Sequence, residues 1–202
     1  MLRVGLTGGL ACGKSFVARL LGEHGCHVIR ADEVGHEVLQ PGGEAYGPVL
    51  AEFGDGILAA DGRTIDRRKL GDQVFGNPER LAVLNGLVHP AVFKIQDEFA
   101  QAAAARDPSA IVVVEAAILI ETGSYLRYDK LIVVICSPEQ QVERAMHREG
   151  ARREEVASRI QRQMPMEEKR KYADFVIDTS GTKEHTMVQT RMVYKELRRL
   201  SQ

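Results

Sequence analysis

The sequence predicts an α/β protein built on a parallel β-sheet with helices on its faces. Three observations predict it. Short runs rich in Val, Ile and Leu recur along the chain and alternate with helical patterns. Those runs are apolar throughout rather than apolar at every second residue, as strands buried on both faces are. A glycine-rich turn joins the first run directly to the first helix.

Taken in order, Leu2–Leu6 reads as a short buried strand, and the residues from Lys14 to about His24 as a helix with Val17, Leu20 and Leu21 on one face. Cys26–Ile29 is a second strand, ending at Arg30-Ala31-Asp32. Ile111–Val114 and Leu131–Cys136 are Val- and Ile-rich strands bounded by polar residues or Pro, and Phe175–Ile177 is a weaker fifth. Two stretches interrupt the alternation. From Asp32 to about Ala105 no strand is expected; several helices are, punctuated by Pro41-Gly42-Gly43, Asp61-Gly62 and His89-Pro90. The stretch from Pro138 to about Tyr172 is also helical, with nine Arg or Lys against six Glu between Glu143 and Lys171, so its local charge is positive. The expected organisation is one core from residues 1–31, 106–137 and 173–202, with helical insertions at 32–105 and 138–172.

A chain of 202 residues buries one good core. A net charge of −1 gives no global case for nucleic-acid or acidic-membrane binding, and neither partner is expected. The longest apolar run, Ile111 to Ile120, contains Glu115 and is too short to cross a bilayer. A strand starting at Leu2 leaves no room for a cleavable leader. Three widely spaced cysteines (Cys12, Cys26, Cys136) without a C-x-x-C pair argue against a disulfide framework or zinc site and fit a reducing compartment. Cytoplasm is the expected location.

Gly8-Gly9-Leu10-Ala11-Cys12-Gly13-Lys14-Ser15 matches G-x-x-x-x-G-K-[ST], with a strand before it and a helix after. Glycines let successive N–H groups point inward as an anion nest, and the helix adds its positive end. Lys14 then reaches the β- and γ-phosphates of a nucleoside triphosphate, and the Ser15 hydroxyl ligates Mg²⁺. The sheet is therefore expected to be a P-loop NTPase core, binding a nucleoside triphosphate. A switch GTPase would carry an N-K-x-D guanine motif, which is absent, and a translocase would normally be longer. A small kinase remains, and it needs a base on the acceptor side and cations for the migrating phosphoryl. Asp32, just past the second strand at the carboxyl edge where ligands bind, suits the base. From position alone it suits equally the cap of a helix over Glu33–Leu39. Glu115 ends the Val-rich strand where many P-loop proteins turn a carboxylate toward Mg²⁺. Arg144 and Arg148 share a helix face, either over the triphosphate or in solvent beside Glu143 and Glu149. Cys12, near a helix N-terminus and Lys14, is expected to be the most thiolate-prone cysteine.

The stretches "GLTGGLACGKS", "ADEVGHEVLQPGG", "DGRTIDRRKLGDQVF", "LNGLVHP", "ILIETG" and "YADFVIDTSGT" resemble the dephospho-CoA kinase family, in the family's order and over nearly the whole chain. The resemblance implies transfer of the ATP γ-phosphate to the ribose 3′-hydroxyl of dephospho-CoA, the last step of coenzyme A synthesis. It implies that 32–105 is a helical CoA-substrate-binding region and 138–172 a helical lid, with Mg²⁺ arriving with ATP. It implies Asp32 as the catalytic aspartate, Lys14 and Arg144 acting on the phosphates, and Gly8 through Phe16 as the nucleotide cradle. His89 and Glu121 fall on substrate-side motifs, and Arg67, Arg68 and Lys69 either contact the acceptor diphosphate or are solvated. Four positions depart from the family's usual pattern: Arg30 replaces an Asp, Ala117 a Pro, Thr179 an Asn, and Phe16 a frequent Thr. The Phe16 backbone N–H is expected to stay available to an α-phosphate.

Overall fold

The computed structural model describes residues 1–202 apart from Phe75, the last residue of one family-like stretch, and the side chain of Glu149, the expected neighbour of Arg148. Five parallel strands make one sheet: β1 (Leu2–Gly8), β2 (His27–Arg30), β3 (Ile111–Glu115), β4 (Lys130–Ile135) and β5 (Phe175–Asp178). They lie in the order β2-β3-β1-β4-β5. β1 is central, with Leu6 in register with Glu115 of β3 and Gly8 with Val134 of β4. Nearly every residue of β1, β3 and β4 is buried, which is why these runs are apolar on both faces. Val4, Leu6, Val113, Ile132 and Val134 form the middle of the core, joined by Val17 and Leu21 of α1 (Lys14–Glu23) and by Ile177 and Leu197. α1 also packs against the chain's last helix.

The chain divides into two compact units, one of residues 1–30 with 100–202 and one of residues 31–99. The second unit is helical: α2 (Ala31–Glu37), α3 (Tyr46–Phe53), α4 (Arg67–Val74) and most of α5 (Pro78–Arg106), with one isolated antiparallel bridge, Leu58 to Ile65. α2 starts at the residue after β2 ends, earlier than the expected Glu33, so Asp32 lies inside the first turn instead of capping it from outside. His89-Pro90 does not punctuate the helices as expected; α5 runs straight through it for 29 residues. Pro90 removes the hydrogen bond to the Gly86 carbonyl and costs about 3 kcal/mol. Burial begins immediately after it, at Ala91 and Val92, and continues at Gln96, Ala100 and Ala103, whereas the turns before Pro90 are at most half-buried.

In the first unit, α6 (Pro138–Glu149), α7 (Arg153–Gln161) and α8 (Met166–Arg170) follow β4, and α9 (Lys183–Leu200) closes the chain. Ser137 caps α6 in a reciprocal box with Gln140, and Pro138 occupies its first turn. Among the described residues, no helix is long and apolar enough to cross a membrane.

Candidate active site

The cradle forms where β1 ends. Gly8 is obligatory there because a Cβ would sit 2.2 Å from the Val134 carbonyl oxygen of β4. Ala11 and Gly13 take positive φ, 56° and 82°, which turns the chain so that α1 can start at Lys14. For Ala11 that conformation costs about 1–2 kcal/mol, strain of the kind concentrated at functional loops. Lys14 folds back over the loop, its Nζ donating to the carbonyls of Gly8 (3.1 Å) and Gly9 (3.0 Å). The Phe16 amide is committed elsewhere than expected: it donates to the Gly13 carbonyl at 3.1 Å, because α1 begins with a tight turn.

At the carboxyl end of β3, the Ser15 hydroxyl donates to Glu115 Oε1 at 2.7 Å. Glu115 is buried, and its other oxygen, Oε2, has no hydrogen-bond partner among the described residues. Arg30, at the matching register position of β2, brings its Nε to 3.4 Å from that oxygen. A buried carboxylate with an unsatisfied oxygen beside a serine hydroxyl is a donor set that fits a hard divalent cation. Arg30, in the place of the family's usual acid, partly neutralises Glu115. Among the described residues, no group of three or more His, Cys, Asp and Glu could hold a metal ion by itself.

A second set of bonds ties the α6–α8 segment to the loop. Arg144 donates from Nη1 to Thr179 Oγ1 (3.0 Å) and from Nη2 to the Thr179 carbonyl (2.7 Å). The Thr179 hydroxyl in turn donates to the Cys12 carbonyl at 2.9 Å. Thr179 is thus a strut between α6 and the cradle, a role that its departure from the family pattern flagged only as a difference. Gln163 accepts from the Leu10 amide at 2.9 Å, and Gln141 donates to Cys12 Sγ at 2.9 Å. Neither glutamine stood out in sequence, since each acts on a loop more than 120 residues away. Arg148 is exposed, and Arg152 pairs with Glu155 on the surface.

The Cys12 thiol is fully buried and turned into the core. Its pKa is lowered, chiefly by the hydrogen bond from the Cys136 thiol, with Gln141 and the Lys14 charge assisting against burial. Cys136 is correspondingly raised, and burial pushes Cys26 up to about 12. Lys14 therefore contributes less to the Cys12 thiolate than expected, and its neighbour Cys136 contributes more.

Glu121 faces a role other than the expected substrate contact. Its carboxylate meets the Lys169 ammonium at 2.7 Å and accepts from the Met164 amide at 3.2 Å. Lys169 is wholly buried and also donates to the Ala117 carbonyl, which accepts from the Thr7 hydroxyl as well. The anchor at residue 117 is a carbonyl, so replacing the family's proline by alanine leaves it intact.

In the helical unit, Asp32 is exposed in the first turn of α2, where a negative charge suits the helix dipole. His89 lies in α5 with its ring 5.5 Å from that of Phe93. Burial lowers its pKa, so the imidazole is mostly neutral at pH 7 and offers one donor and one acceptor. Asp66 caps α4 by accepting from the amides of Arg68 and Lys69, and Lys69 Nζ donates to the Leu58 carbonyl.

Comparison with known proteins extends this likeness over the whole chain. The family model for dephospho-CoA kinase (CoaE) matches residues 2–185. Dephospho-CoA kinases of Aquifex aeolicus and Thermobifida fusca are each 43% identical to this chain, covering 98% of it and 99% and 98% of their own lengths. Among solved structures, a Thermus thermophilus protein superposes with a TM-score of 0.82 at 32% identity, covering 97% of both chains. The dephospho-CoA kinase of Campylobacter jejuni does so at 0.69 and 26% identity, over 99% of this chain and 98% of its own. A shikimate kinase of Bacteroides thetaiotaomicron, at 0.53 and 12% identity, shares the fold alone. With the match running through both the cradle and the helical insertion that follows β2, the chain belongs to the dephospho-CoA kinase family.

Proposed function

We propose that this kinase transfers the γ-phosphoryl of ATP to the ribose 3′-hydroxyl of dephospho-CoA, releasing coenzyme A and ADP, through the following division of labour. The Gly8–Ser15 loop lines the cradle for the triphosphate, and Lys14 exchanges its loop carbonyls for the β- and γ-phosphate oxygens. Ser15 and Glu115 hold Mg²⁺, which supplies charge neutralisation on those phosphates when bound. Asp32 accepts the proton of the attacking 3′-hydroxyl. Arg144, through Thr179, steadies the cradle and lends positive charge to the phosphate side. His89 contributes a neutral hydrogen-bonding ring on the acceptor side, while Glu121 supports that side indirectly by pinning the Met164–Lys169 segment. Residues 32–105 bind the acceptor and residues 138–172 act as the lid. The working compartment is the cytoplasm, which the odd, unpaired set of cysteines supports.

The observation that carries the reading is the extent of the family match, residues 2–185, since a cradle alone would serve many kinases. The experiment is an acceptor panel. With Mg-ATP, ADP release should rise with dephospho-CoA and stay at background with nucleoside monophosphates or no acceptor. Stimulation by a nucleoside monophosphate instead would assign the acceptor site to a different kinase reaction, and acceptor-independent hydrolysis would make the protein a nucleotide-gated binder.

A further inference from the structure

Two of the three cysteines meet beneath the phosphate loop. Cys12 comes from the loop itself and Cys136 from the residue after β4, and their sulfurs are 3.4 Å apart. Cys26 precedes β2 and so lies at the opposite, amino end of the parallel sheet. Gln141 directs its amide at Cys12 Sγ from α6, at 2.9 Å, so one sulfur of the pair carries two donors while the other keeps its proton. That is the arrangement of a nucleophilic thiolate with a resolving thiol beside it.

We propose that Cys12 and Cys136 form a reversible disulfide when the protein meets a peroxide, and that this bond disables the nucleotide cradle. The Cys12 thiolate attacks the peroxide O–O bond, giving the Cys12 sulfenic acid and hydroxide. The Cys136 sulfur then attacks the sulfenyl sulfur; its proton leaves with the hydroxyl as water and the S–S bond forms. Overall, two thiols and one hydrogen peroxide become a disulfide and two waters. Two further electrons from a dithiol reverse it.

Closing the pair shortens the sulfur separation from 3.4 Å to the bond length of about 2.05 Å. Cys136 is fixed at the end of a fully paired core strand, so the loop has to give. Cys12 moves with its carbonyl, which Thr179 holds, and with Gly13 and Lys14, which follow it directly. Displacements near 1 Å in a preorganised site cost about a hundredfold in function. Burial sets which oxidants work: Cys12 is 0% and Cys136 8% exposed, which admits a peroxide during loop motion and excludes bulky disulfides. Bound Mg-ATP slows the reaction by holding the loop, not by covering the sulfur. Transient disulfides of this kind are the ones a reducing compartment tolerates.

The test uses the reduced full-length protein, treated with hydrogen peroxide, alkylated and digested without reductant, with Mg-ADP affinity measured before and after. Mass spectrometry should find the Cys12 and Cys136 peptides joined. Mg-ADP affinity should fall at least about tenfold and return with dithiothreitol. Cys136→Ser and Cys136→Ala should give no cross-link and keep Mg-ADP binding through the treatment, and Cys26→Ser should cross-link like the parent. Recovery of both cysteines on separate peptides would overturn the disulfide. Cross-linked protein that binds Mg-ADP as tightly as reduced protein would overturn the disabling effect. That effect rests on the proposed nucleotide site, so a reduced protein that failed to bind Mg-ADP would overturn both together, with the cross-link still read independently.

Discussion

Asp32 follows the last residue of β2 by two positions, exposed in the first turn of α2. Two roles fit that position, proton acceptor and favourable charge at a helix start, and Asp32→Asn separates them. It keeps the size and removes the base. Phosphoryl transfer should fall at least about a hundredfold, the scale of general-base catalysis, with Mg-ATP affinity retained. Near-normal turnover with a slightly lower melting temperature would leave Asp32 only its helix-dipole role. At this scale the shape of the loop was legible because its residues are consecutive, with Gly8 and Gly13 standing where the backbone needs them. Thr179 was not: its bond to the Cys12 carbonyl spans 167 residues, and a threonine after a strand carries no signal of what lies opposite. The expected freedom of the Phe16 amide failed for a local reason, the tight first turn of α1.

Elements divide in the same way. The strands were readable to within a residue or two because burial on both faces demands unbroken apolar runs, as in Ile111–Glu115. α5 was misread at Pro90, where the helix tolerates a local breaker just ahead of its buried stretch, a burial that only the folded chain reveals. The short helix α8 is held by a feature invisible in sequence, the wholly buried Lys169 paired with Glu121 across from it. Among the nine basic residues between Glu143 and Lys171, nothing marks one lysine as internal. Glu121→Gln should leave that ammonium buried without a counter-charge and cost about 3 kcal/mol, or a drop of about 6–12 °C in melting temperature for a chain of this size. Thermal unfolding followed by circular dichroism reads this. An unchanged melting temperature alongside a raised KM for dephospho-CoA would return Glu121 to direct substrate contact.

At the scale of the molecule, the alternation of strands and helices and its two helical interruptions were legible because they change the periodicity of the chain itself. The acceptor was not legible from periodicity or charge. It came from the resemblance of six stretches, and the family match over residues 2–185 carries the family assignment. The central claim is therefore chemical: the γ-phosphoryl leaves ATP for one hydroxyl of one acceptor. Its most direct measurement is a label trace, with the protein incubated with Mg²⁺, ATP labelled in the γ-phosphate and dephospho-CoA, and the products separated. The label should appear in coenzyme A as a 3′-phosphate, in equal amount to the ADP formed. Label recovered as inorganic phosphate, with dephospho-CoA unchanged, would contradict the account.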